Sequence, residues 1–121
     1  MEVYYNDKLL KNDDFLRVSI TQDQPKIKLN VNPNEYYTLI IHYPDAVGVT
    51  YIHWSIINIT RNDIKTGNII IPYKGPDPPP NSGKHRYIFG LYKQNGENTI
   101  NEINERVIDI NNLRNILHQY L

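Results

Sequence analysis

G-P-D-P-P-P-N-S-G-K-H-R-Y, residues 75–87, sets the terms for the chain around it. Pro76, Pro78, Pro79 and Pro80 each fix φ and lack an N–H donor, so this backbone enters neither a helix interior nor a central strand. Each residue before a proline is pushed toward extended geometry. A stiff, extended loop is expected here, ordered without a ligand. Gly83 permits a sharp bend beyond it. Residues 85–92, H-R-Y-I-F-G-L-Y, then read as a strand. Alternation along that strand puts His85, Tyr87, Phe89 and Leu91 on one face. An imidazole and a phenol would stand together beside a rigid proline loop. That arrangement suits a small, fixed pocket for an anionic or polar group.

Outward from this stretch, the chain is a series of strands and turns. Residues 36–43 are apolar on both faces and read as a central strand; residues 51–59 read as the next. In the latter, His53, Ser55 and Ile57 are expected on one face, and Ile52, Trp54 and Ile56 on the other. Residues 16–20 and 26–31 also alternate, with Ile27, Leu29 and Val31 inward. Residues 4–15 are a polar lead-in. Residues 61–67 make a turn or a single helical turn, and 68–72 a short strand leading to the proline loop. N-P-N-E at 32–35 and K-Q-N-G-E at 93–97 are turn signals. Leu113, Ile116, Leu117 and Tyr120 recur at helical spacing, which predicts one amphipathic helix over 111–120. No helix-sized crossovers separate the strands, which disfavours a parallel doubly wound sheet. The expected fold is all-β, an antiparallel β-sandwich with a C-terminal α-helix.

The 121 residues favour one domain over 1–121, long enough for a core without disulfides or metal. Thirteen basic and 13 acidic residues give a formal net charge of zero, which argues against electrostatic nucleic-acid binding. Cysteine is absent, so disulfides, thiol nucleophiles and thiolate zinc sites are excluded. The polar start M-E-V-Y-Y-N-D-K carries no apolar signal-peptide core. No apolar run approaches the roughly 18 residues of a membrane span. The expectation is a cytoplasmic protein without a cofactor.

Three elements supply the candidate chemistry: Tyr43-Pro44-Asp45, His53, and the loop and strand carrying Pro78, Pro79, His85 and Tyr87. Sequential strands tend to be neighbours, so His53 and His85 can converge. Two imidazoles titrating near neutral pH, with a tyrosine hydroxyl, would offer several donors. The competing structural readings are a half-buried packing role for His53 and a turn-forming role for Asp45. A zinc site of His53, His85 and Asp45 is allowed by residue type, but no spacing demands it. His42 and His118 have no supporting pattern. Asn58-Ile59-Thr60 matches a glycosylation sequon but lies within an expected strand. Nucleophile elbow, H-E-x-x-H and Walker loop are all missing from the sequence, so no catalytic residue is assigned and an enzyme is disfavoured.

P-D-A at 44–46, H-W-S-I-I-N-I at 53–59 and G-P-D-P-P-P-N-S-G-K-H-R-Y at 75–87 together resemble the phosphatidylethanolamine-binding protein family, which includes Raf kinase inhibitor protein. The resemblance runs from about residue 37 to 94. It implies an antiparallel β-sandwich with peripheral helices, and a non-enzymatic binding protein with a small anion pocket. That pocket accepts phosphate, acetate or a phosphoethanolamine head group. Carried over position by position, its residues are Asp45, His53, Asp77, Pro78, Pro79, His85 and Tyr87. The implied partners are a phosphate-containing small molecule or phospholipid head group, and a kinase or protease that is inhibited. Tyr43 stands where the family has the first aspartate of D-P-D, Val47 where a proline follows, and Asp77 where glycine is usual. Loss of an acid at position 43 favours anions and alters selectivity. The rival functions are a phospholipid carrier, which needs a deep apolar cavity, and a hydrolase using a pocket histidine as general base.

Overall fold

Among the residues that the computed structural model describes (1–44, 49–78, 85–99 and 106–109), eight strands form two antiparallel sheets. They are β1 (Glu2–Tyr5), β2 (Lys8–Leu9), β3 (Lys26–Lys28), β4 (Tyr37–Tyr43), β5 (Val49–Ile59), β6 (Asn68–Ile71), β7 (Ile88–Lys93) and β8 (Val107–Asp109). The small sheet runs β2-β1-β3 and the large one β6-β5-β4-β7, with β8 paired to the start of β5. Among the described residues the fold is all-β, with two short 3₁₀ turns beside the strands. The helix expected over 111–120 lies outside the described residues.

The core sits between the sheets. Tyr37, Leu39 and Ile41 of β4 join Trp54, Ile56 and Ile59 of β5 in one buried cluster. Ile27, Leu29 and Val31 pack against it from the small-sheet side, with Tyr73, Phe89 and Leu91 closing around it. Full burial of such a side chain stabilises by about 1.5–3 kcal/mol. Tyr5 and Tyr73 tie the layers together. The Tyr73 hydroxyl donates to the Thr21 carbonyl at 2.7 Å, so the 2.6 Å bond between the two phenols has Tyr5 as donor.

Two bulges in β5 decide which side chains face where. Ile41 pairs with Trp54 but His42 pairs with Ile52, so His53 is an extra residue on its strand. Tyr37 pairs with Ile59 and Leu39 with Ile56, which makes a second bulge that includes Asn58 at φ 60°. Asparagine tolerates this left-handed backbone because its amide bonds locally. Here Asn58 Oδ1 accepts from Gln94 Nε2 at 2.9 Å and from the Asn98 N–H at 2.8 Å, while its Nδ2 donates to Asn68 Oδ1 at 2.9 Å. Gln94 Oε1 in turn accepts from Thr38 Oγ1 at 2.8 Å. The sequon asparagine is thus a buried, bonded strut of the sheet.

Several expected boundaries move. Residues 16–20 do not form a strand: Val18–Ile20 is a 3₁₀ turn, closed by Thr21 donating through N–H and Oγ1 to the Val18 carbonyl. Both edges of β1 are already taken by β2 and β3, and a local Thr-to-backbone bond competes with pairing. The strand expected over 26–31 ends at Lys28, although Leu29 and Val31 still point inward. The polar lead-in contains a hairpin. Asn6 and Asp7, at φ 48° and 64°, make its two-residue turn, and Val3 and Tyr5 are buried. The strand expected from residue 85 begins at Ile88.

Candidate functional site

The bulge at His53 turns this side chain away from its expected companions. Ser55 pairs with Ile40 on one face, whereas Trp54 pairs with Ile41 on the core face. His53 instead lies against Tyr51, ring centroids 4.6 Å apart, and edge-on to Tyr87 at 5.2 Å. Tyr87 meets Tyr43 at 5.4 Å, and Tyr43 meets His85 at 5.6 Å. Five rings therefore form one chain, Tyr51–His53–Tyr87–Tyr43–His85, at the end of β4 and the start of β5. His85 and Tyr87 precede β7, so they converge through Tyr43 rather than by strand alternation.

Polar contacts fix this chain of rings. Tyr43 Oη and His85 Nδ1 are 3.1 Å apart. His53 Nδ1 is 2.7 Å from the Lys74 carbonyl oxygen, and the Lys74 N–H donates to the His53 carbonyl at 2.9 Å. Next in sequence, Gly75 is buried against the segment at Thr21 and Gln22. A Cβ there would come within 2.6 Å of the Thr21 carbonyl oxygen and 2.8 Å of Gln22 Cα. Only glycine allows this approach. Gln22 Nε2 then donates to the Pro76 carbonyl at 2.8 Å, seating the start of the proline loop. Pro78 is half-buried and Asp77 exposed on that loop. Asp45 and Pro79, and Gly83 with them, lie outside the described residues.

Two cations flank the cluster. The Lys74 ammonium lies 5.8 Å from the Tyr51 ring centroid, and Arg106 Nη1 reaches to 3.4 Å from the carbonyl oxygens of Ile52 and His53. Burial holds the His53 pKa below its ordinary value; the Lys74 carbonyl opposes this, while the charges of Arg106 and Lys74 add to it. Burial raises the Tyr87 phenol, with a smaller contribution from Tyr43. His42 is also buried, on the other face with Ile52, and its pKa is lowered by burial, by Arg86 and by His53. Among the described residues there is no group of three histidine, aspartate or glutamate side chains able to hold a metal ion.

The expected residues His53, His85 and Tyr87 do come together. The sequence reading missed Tyr51, Lys74 and Arg106. Tyr51 carried a signal, because Tyr43 and Tyr51 are paired across the β4–β5 hairpin. Lys74 and Arg106 carried none. They arrive by tertiary contact from the end of β6 and the start of β8.

The sequence model of a family described as Phosphatidylethanolamine-binding protein matches residues 8–119. The Protein MOTHER of FT and TFL1 homolog 2 of Oryza sativa subsp. japonica is 32% identical over 101 residues, 78% of this chain and 57% of that protein. A Drosophila melanogaster protein named as an odorant-binding protein, A5, is 35% identical over 77 residues, 59% of this chain and 37% of its own length. A 26 kDa secreted antigen of Toxocara canis is 35% identical over 78 residues, 60% of this chain and 30% of its own. The chain thus spans between 30% and 57% of the length of these curated relatives.

Proposed function

The chain belongs to the phosphatidylethanolamine-binding protein family, and from that premise we propose that its ring cluster binds the phosphate of a small molecule or phospholipid head group. Members of the family are generally binding or regulatory proteins rather than enzymes. The observation that carries the reading is the convergence of His53, His85, Tyr43 and Tyr87, flanked by the cations Lys74 and Arg106. Imidazole and phenol groups supply directional donors, and the cations supply a favourable potential in partly desolvated surroundings. Tyr43 supports the reading further. A hydroxyl bonded to His85 occupies the position where the family has an acid, so one repulsive charge is removed. The role of such a site is to modulate a partner protein, with a kinase or protease as the partner class.

The test is calorimetric titration of phosphoethanolamine into the wild type and His85→Ala. Losing one charge-assisted hydrogen bond costs roughly 1.5–3 kcal/mol, so the variant should bind about tenfold or more weakly. Equal affinity in the two proteins would remove His85 from the site.

A further inference from the structure

Resting on this reading of the site, the geometry points to a further property: an anion binds here together with one proton, which is carried on Nε2 of His53. The starting point is the 2.7 Å contact between His53 Nδ1 and the Lys74 carbonyl oxygen. A carbonyl oxygen can only accept, so Nδ1 carries the hydrogen. The bond is reinforced, because the Lys74 N–H donates back to the His53 carbonyl at 2.9 Å. Turning the ring to present Nδ1–H to a ligand would break one half of this clamp. In the neutral imidazole the other nitrogen, Nε2, then holds a lone pair and no hydrogen.

An anion oxygen brought to that nitrogen sets one lone pair against another. A proton between them converts repulsion into a charge-assisted hydrogen bond. His85 is different. Its Nδ1 contacts the Tyr43 hydroxyl, which can donate or accept, so this bond leaves the tautomer open.

The neighbours of His53 do not offer a ready proton. Tyr51 on its own strand and Tyr87 ahead of β7 present phenol rings to it, and burial raises the Tyr87 pKa, so that phenol keeps its proton. His42 on β4 is itself held neutral by burial. Lys74 after β6 and Arg106 ahead of β8 are cations that oppose charge on the imidazole, and burial acts in the same direction. In the free protein the ring is therefore neutral at pH 7, and the proton comes from solution or from the ligand. A phosphomonoester below its second ionisation, near ~6, brings its own proton. A phosphodiester carries none, so its affinity should fall about tenfold for each pH unit above the free His53 value.

Titration calorimetry with glycerophosphoethanolamine, a diester, at about pH 7.5 in two buffers of unlike ionisation enthalpy counts the protons taken up. The wild type should take up about one per diester bound. His53→Gln, whose amide donates without titrating, should bind more weakly and take up close to none. Equal uptake by the two proteins, or binding by the wild type without uptake, overturns the proposal and leaves the anion site standing. Absence of binding by the wild type, for this diester and for phosphoethanolamine, overturns the site itself. Nitrogen-15 spectra of the wild-type ring give a reading independent of any variant. The free ring should be the Nδ1-protonated tautomer, and the diester-saturated ring should be protonated on both nitrogens. A neutral ring at saturation overturns the proposal.

Discussion

Among the described residues, His42 and His53 are histidines with a shifted pKa. Both are buried, and both have pKa values held below the ordinary 6.5, with burial as the largest cause. In the unfolded chain each imidazole protonates near ~6.5. Between that value and the lower folded one, the unfolded state binds more protons, so stability falls as pH drops through this window and is unaffected above it. Urea unfolding should therefore show a lower midpoint at about pH 5.5 than at about pH 7.5, with an unchanged slope. Among the described residues, His42 Nδ1 is the buried side-chain polar atom with no hydrogen-bond partner. Leaving such a group unpaired costs about 1–3 kcal/mol. His42→Leu should accordingly be at least as stable as the wild type at neutral pH, and should lose less on acidification. A steeper acid loss in the variant would contradict the burial argument.

At the level of elements, the loop that begins at Gly75 connects the core to the site. Its backbone lies so close to Thr21 and Gln22 that a methyl group at Gly75 must displace it. Lys74 is the adjacent residue and makes both bonds to His53, so the displacement is transmitted to the ring cluster. Gly75→Ala should lower stability by about 1–3 kcal/mol through overpacking and also weaken phosphoethanolamine binding. Calorimetry and urea unfolding on one preparation check both, and an alanine variant with unchanged affinity would uncouple the loop from the site. Much of this level was legible in the residue pattern. The apolar run over 36–43 marked a central strand and 51–59 the strand after it, and Pro76 and Pro78 marked a segment that leaves the sheet. The bulge at His53 was not legible, because an extra residue shifts the alternation without any change in residue type. The hairpin at Asn6-Asp7 had a signal in its turn residues, but polar neighbours obscured it. The 16–20 segment shows the reverse case, a good alternating pattern with no free edge of β1 to pair with.

Over the whole molecule, two antiparallel sheets enclose an apolar cluster, and the polar rings gather at the end of the β4–β5 hairpin. Which residues meet there was only partly readable from the chain. His85 and Tyr87 could be named from the strand pattern beside the proline loop and His53 from a strand expected nearby, and the resemblance to a known family runs through the motifs of all three. Lys74 and Arg106 could not, since their approach depends on how β6 and β8 divide the outer edge of β5 between them. The central claim is that one anion site is built from Tyr43, His53, His85 and Tyr87. A nuclear magnetic resonance titration of the aromatic side chains with phosphoethanolamine tests it most directly. Saturable shifts should appear together on these four rings, with a single affinity, while Trp54 and Tyr73 in the core stay unmoved. Shifts that saturate elsewhere, with these four rings unchanged, would contradict the claim.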